Sequence, residues 1–204
     1  MDNVLFSSDK MDWGTPGAFI HGVQKEFGDF TLDAAASGFN SVAPAYIGPP
    51  EEPHACPEEV RGDCIGNCIP GRVGIDALAI DWAQVPSERV WLNPPYGRRV
   101  GTWIKKAREQ SMGVAESITC LVAARTDTTW WHEHVEKAYA VYLVRGRLRF
   151  WQQLTLSVEG GVFRKETMAP APFPSALVVF NGAPPTVRGT MDQVGHVLTR
   201  LEVR

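Results

Sequence analysis

The chain has 204 residues, 44% of them hydrophobic and 21% charged, with a formal net charge of −3. That balance describes one ordinary globular domain, not a disordered tail or a small disulfide-stapled module. Apolar runs such as Ala176-Leu177-Val178-Val179-Phe180 are far too short to span a bilayer, and the first residues lack the basic and apolar regions of a secretory signal, so a cytoplasmic location is expected.

Residues 1–12 read as a loose N-terminal arm. A helix is predicted from Thr15-Pro16, because Thr15 can cap it and Pro16 suits a first turn that needs no backbone donor. Phe19, Ile20, Val23 and Phe27 then fall along one helical stripe, and Gly28 is a natural stop. Phe30-Thr31-Leu32-Asp33 reads as a short buried strand ending on an acid. From 38 to 74 the chain is rich in Pro and Gly and shows little periodicity, so it is expected to be an irregular insertion within a single domain covering 1–204. A short element over Ile75–Ile80 leads into Asp81-Trp82.

Arg89-Val90-Trp91-Leu92 reads as a strand that ends directly on Asn93-Pro94-Pro95-Tyr96. Val100, Trp103, Ile104 and Ala107 have helical spacing. Ser117–Ala124 is a buried strand, Thr128–Ala138 a helix and Tyr139–Val144 a further strand. The remainder is β-rich, with strands over Leu148–Val158 and Ser175–Phe180. Strands alternating with helices over 16–144 imply an α/β fold with a mostly parallel central sheet and helices on both faces. Ligands of such sheets bind at the carboxyl ends of the strands.

Asn93-Pro94-Pro95-Tyr96 lies at such an end, and its parts suit one chemistry. The lone pair of an amine on a planar ring is delocalised, and the nitrogen becomes nucleophilic only as it turns towards tetrahedral geometry. Two acceptors on its N–H bonds favour that change. The Asn93 side-chain oxygen offers one, a backbone carbonyl held by the rigid Pro94-Pro95 unit offers another, and the Tyr96 ring can stack on a flat base. The alternative is a rigid loop with a packed tyrosine.

The tetrapeptide resembles the motif of Rossmann-like amino-methyltransferases, and the text around it resembles the phage DNA N-6-adenine methyltransferase family. The matching stretches are Asp12-Trp13-Gly14-Thr15-Pro16, residues 26–36, Asp81-Trp82, Val90–Gly97, Ala124–Thr128, Arg145–Leu148 and Ala171–Ser175. They occur in order over most of 12–180, apart from the irregular insertion.

The resemblance implies S-adenosylmethionine as methyl donor. Asp33, Ala34 and Ala35 fall where such enzymes place a cofactor loop, although the usual glycine-rich form is missing. Asp33 could equally cap the next helix. Thr15 and Pro16 match a segment that contacts the methionine carboxylate, a reading compatible with a helix start. Asp81-Trp82 resembles the pair that receives the cofactor adenine. The alternative is a strand-end acid beside a core Trp.

The resemblance also implies DNA as partner, with the target base flipped out of the duplex. Arg145, Arg147 and Arg149 would share one face of a strand and could track phosphates, or form a solvated basic edge. Arg125 follows a strand and could line the target pocket.

His54, Cys56, Cys64 and Cys68 fall close together, and four such ligands can hold a structural zinc. A loop with incidental cysteines is the alternative. Three functions therefore stay open: DNA adenine-N6 methyl transfer, methyl transfer to RNA or a protein glutamine, and a non-catalytic zinc-dependent nucleic-acid-binding module.

Overall fold

Val90, Leu92, Ile118, Cys120, Val122, Val141, Ala176 and Val178 pack into one buried cluster, whereas their neighbours Trp91, Leu121, Ala123, Tyr142, Leu177 and Val179 pack into another. Successive side chains of a strand point to opposite faces. Both faces of this sheet are therefore buried, and its strands show almost unbroken apolar runs in place of alternation. The computed structural model describes residues 13–38, 40–50, 71–113, 116–158, 161–181 and 198–201.

The elements in chain order are β1 (Trp13–Gly14), α1 (Gly17–Phe27), β2 (Leu32–Asp33), β3 (Ala45–Gly48), β4 (Arg72–Ile75), a 3-10 turn (Trp82–Gln84), β5 (Arg89–Leu92) and α2 (Val100–Gln110). They continue with β6 (Ser117–Ala123), α3 (Thr129–His134, running into a 3-10 turn at Val135–Lys137), β7 (Ala140–Val144), β8 (Arg149–Val158), β9 (Gly161–Pro170), β10 (Ser175–Phe180) and β11 (Leu198–Leu201).

Eight strands form the main sheet in the order β4-β3-β2-β5-β6-β10-β7-β11. The five from β4 to β6 run parallel. β10 lies antiparallel between β6 and β7, with Val178 opposite both Cys120 and Val141. A second sheet has the order β1-β8-β9, with β8 and β9 paired as a long hairpin from Arg149↔Pro170 to Val158↔Gly161.

Helices cover both faces, as the alternation of elements predicts. Ile104 and Ala107 of α2 and Trp131 of α3 join the first cluster, and Phe19, Ile20 and Val23 of α1 join the second. The expected stripe of α1 is therefore its buried side, with Phe27 half-buried at its end and packed edge-on against Tyr142.

Two local expectations are corrected. Thr15 does not cap α1: the cap position is Pro16, which has no side-chain donor or acceptor, and Thr15 is itself buried. The stretch 38–74 is not irregular throughout, since it contains β3 and most of β4. β3 is buried at all four positions, so it has no alternation to reveal it. The arm 1–12 and residues 51–70 lie outside the described residues.

Candidate active site

The parallel strands end together on one side of the sheet, and a cleft of about 250 Å³ opens there. Ala35, Ala36 and Ser37 after β2, Ile47 and Gly48 of β3, and Asp76 and Ala77 after β4 line it. Pro95 after β5, and Arg99 and Trp103 at the start of α2, close its other wall. Buried Arg72 donates from Nη2 to the carbonyl of Pro49 at 3.0 Å, which holds the loop after β3 against the cleft.

Asp76 was missed as a site residue by the sequence reading. It adopts a left-handed φ of 56° directly after β4, a conformation that Asp tolerates because its short side chain bonds locally. Its Oδ1 accepts from Leu78 N–H at 3.2 Å and its backbone N–H donates to Gly48 O at 3.1 Å, which tie the β3 and β4 ends together. The rule that picked Asp33, an acid at a strand end, would have picked Asp76 had β4 been recognised.

The expected cofactor residues separate. Ala35 lines the cleft, while Ala34 is fully buried beside it in sequence. Asp33 is buried as well, and its two oxygens accept from Ala35 N–H at 3.3 Å and Val42 N–H at 3.1 Å. Burial raises its pKa to about 7, against the lowering effect of those two hydrogen bonds. Thr15 and Pro16 are not among the cleft-lining residues. Nor are Asp81 and Trp82. Asp81 is exposed and caps the 3-10 turn by accepting from Ala83 N–H at 3.1 Å. Trp82 is wholly buried and spends its indole N–H on Ala77 O at 2.8 Å, so it acts as core.

Asn93, half-buried at the end of β5, has one satisfied and one unsatisfied end. Its Nδ2 donates to the backbone carbonyl of Trp13 at 2.8 Å. Its Oδ1 is buried and has no partner among the described residues. Leaving a buried acceptor unmade costs roughly 1–3 kcal/mol, so a donor that reached Asn93 Oδ1 would be stabilising.

Pro94 is buried and Pro95 faces the cleft. Tyr96 departs from the stacking role expected for it. Its ring is buried between Phe173 (4.8 Å between centroids) and Phe150 (5.9 Å), and its hydroxyl donates to Leu121 O at 3.2 Å. That burial pushes the phenol pKa upward. Tyr96 thus pins the tetrapeptide to the core.

Arg125 is exposed, two residues after the end of β6. Arg145, Arg147 and Arg149 are all exposed, but only Arg149 belongs to a strand: Arg145 and Arg147 sit in the bend between β7 and β8, with Gly146 at φ 83° making the turn. The expected shared strand face is therefore a turn plus a strand start. His54, Cys56, Cys64 and Cys68 lie outside the described residues. Among the described residues no group of three or more His, Cys, Asp or Glu could hold a metal ion. No helix among the described residues is long and apolar enough to cross a membrane.

Comparison with known proteins bears on this arrangement. Residues 73–181, more than half of the chain and all the strands from the body of β4 through β10, match the family described as DNA N-6-adenine-methyltransferase (Dam). Over 136 residues the chain is 29% identical to the DNA N-6-adenine-methyltransferase of Escherichia phage T1, a match covering 67% of this chain and 45% of that protein. The chain thus spans less than half the length of the curated relative it matches. Similar solved structures include a putative RNA methyltransferase from Pyrococcus horikoshii, at 13% identity and a TM-score of 0.34 over 84% of this chain and 81% of that one. Another is the precorrin-6y C5,15-methyltransferase of Geobacter metallireducens, at 12% identity and a TM-score of 0.33 over 86% and 97%. With the matched region running from the cleft wall at β4, through Asn93-Pro94-Pro95-Tyr96, to the last buried strand, this chain belongs to the DNA N-6-adenine-methyltransferase (Dam) family.

Proposed function

We propose that this chain transfers a methyl group from S-adenosylmethionine to the exocyclic amine of an adenine in duplex DNA. The observation that carries the reading is the buried, unpartnered Oδ1 of Asn93 at the carboxyl end of β5, next to a cleft walled by Pro95 of the same tetrapeptide. The family implies S-adenosylmethionine, and the cleft suits it. Ala35 and Ala36 let the ligand approach the backbone, the Asp76 carboxylate can accept from ribose hydroxyls or an amino group, and Trp103 offers an apolar wall. When bound, the cofactor supplies an electrophilic methyl on its sulfonium.

The protein's part is to prepare the amine. Asn93 Oδ1 accepts one amine N–H and a backbone carbonyl of the Pro94-Pro95 unit accepts the other, which pulls the nitrogen lone pair out of conjugation. Tyr96, anchored to Leu121 O, keeps that unit rigid. A base inside the stack cannot reach the end of β5, so the adenine is flipped. Exposed Arg125, Arg145, Arg147 and Arg149 supply phosphate contacts.

The test is transfer of tritiated methyl from the cofactor to unmethylated duplex DNA, followed by nucleoside analysis. The expected product is N6-methyladenine. Label found only in RNA or on protein glutamine would replace this reading with one of those substrates. Asn93→Ala should abolish transfer, with cofactor affinity changed by no more than about twofold, because Asn93 is not among the cleft-lining residues.

A further inference from the structure

Asn93 can act as an acceptor only if the oxygen end of its amide faces the substrate. The two ends of a primary amide are similar in size, so packing alone discriminates weakly between them. The carbonyl of Trp13 does discriminate. It has lone pairs and no proton, so only Nδ2 can face it, at 2.8 Å. Oδ1 is then turned the other way, where no group among the described residues takes it. The reverse orientation would set two oxygens against each other and present a donor to the substrate amine.

Trp13 belongs to β1, a two-residue strand at the edge of the small sheet, which among the described residues pairs with β8 alone through Trp13↔Gln152 and Gly14↔Trp151. So short a strand is weakly held by its ladder. Here the indole of Trp151 lies over Gly14, where a Cβ would overlap the ring atoms. An aromatic ring covering a cross-strand edge glycine is a known way to fix such a pair. Trp13 itself packs edge-on against buried Phe150, the neighbour of Trp151 on β8 (5.3 Å between centroids).

We infer that the backbone carbonyl of Trp13, seated by the contact between Gly14 and Trp151, is a positioning group that fixes which end of the Asn93 amide meets the substrate. The inference rests on the methyl-transfer reading above and names the part of the chain that makes Asn93 competent. It explains why a residue 80 positions away in sequence is brought to the tetrapeptide. It also links the catalytic amide to the β8–β9 hairpin through a single strand pairing.

The experiment uses the full chain and measures kcat for methyl transfer together with cofactor Kd. Gly14 has no left-handed φ, so the obstacle to alanine there is the indole and not the backbone. Gly14→Ala should push β1 off β8 and lower kcat by about tenfold or more, with cofactor Kd within about twofold. Asn93→Ser has no amide to orient. In that background Gly14→Ala should cause no further fall, and an equal fall in both backgrounds would overturn the inference. Trp151→Ala by itself removes the ring that seats Gly14 and should lower kcat in the same way; an unchanged kcat counts against the proposed seat.

If Gly14→Ala does not fold, Trp151→Ala is compared in the native and Asn93→Asp backgrounds. A carboxylate presents an acceptor oxygen whichever way it turns, so Trp151→Ala should lower kcat in the native chain and cause no further fall in the Asn93→Asp chain. An equal fall in both backgrounds would overturn the inference. Absence of transfer by the unmodified chain would instead defeat the methyl-transfer reading itself.

Discussion

The carboxylate of Asp33 accepts the backbone N–H of Val42, nine positions on, at 3.1 Å, closing a loop that carries Ala35 and Ala36 to the cleft wall. The same carboxylate is buried, and its pKa is raised to about 7 from 3.8. A group whose folded pKa is raised contributes stability that is full below its unfolded pKa and is lost as pH rises through the folded one. Asp33 therefore makes the fold progressively less stable as pH rises from about 4 to about 7, and the loss remains above that. In Asp33→Asn this dependence should vanish. Between pH 5 and pH 8 the native chain should lose about 2.6 kcal/mol more than the variant, or roughly 5–10 °C in Tm. Thermal melts at the two pH values check this, and parallel losses in both proteins would contradict it.

Tyr96→Phe removes the hydroxyl that donates to Leu121 O while leaving the ring between Phe150 and Phe173. One net hydrogen bond is worth about 1 kcal/mol, so the cost should appear as a Tm lower by a few degrees. Tyr96→Ala should cost about 3–5 kcal/mol, as truncations of buried aromatics do. Denaturant melts give both values. A hundredfold loss of kcat in Tyr96→Phe at unchanged Tm would return the ring to a direct role at the substrate.

Asp76→Asn keeps a side chain that tolerates the left-handed backbone and an oxygen for Leu78 N–H, but removes the charge from the cleft. Hydrogen bonds to a charged acceptor are worth about 1.5–3 kcal/mol, so cofactor Kd should rise by about tenfold or more. Asp81→Asn alters only the cap on Ala83 and should leave that Kd unchanged. Calorimetric titration of both variants compares them directly, and the opposite ranking would give Asp81 the role expected for it from sequence.

Arg147 is exposed in the bend between β7 and β8. As a phosphate contact it should matter equally for every DNA sequence. Arg147→Ala should weaken binding uniformly and reduce the slope of log K against log salt by about 1. Fluorescence anisotropy over a salt series on two unrelated duplexes measures it. An unchanged slope would place Arg147 off the DNA path.

The elements legible in the sequence were those that carry their own local signal. The stripe Phe19, Ile20, Val23 announces α1, and Arg89–Leu92 announces β5 because it is apolar and stops on a proline pair. β3 and β4 had no such signal. Each has four residues, β3 is buried at every position, and both are strands because distant segments pair with them, with a shift of register between Tyr46 and Ile47. The same gap hid Asp76, whose meaning depends on knowing where β4 ends. Asp81-Trp82 looked like a site pair because acid followed by aromatic suits an adenine. Burial of the Trp82 ring is a property of packing that the residue types do not encode. The partnership of Trp13 with Asn93 spans 80 residues and uses a backbone atom, so no residue type could report it.

The insertion of β10 between β6 and β7 has a consequence for how the chain is made. Residues 140–144 cannot join the sheet next to 117–123 until residues 175–180 have been synthesised, because the later segment must lie between the earlier two. On the ribosome the outer edge of β6 therefore stays open, with apolar Ile118 to Ala123 on offer, while more than fifty further residues are added, including the whole β8–β9 hairpin. An exposed apolar strand edge is a template for association with another chain. Completion of the sheet thus waits for residues 175–180, and until they are in place β6 and β7 have no strand between them.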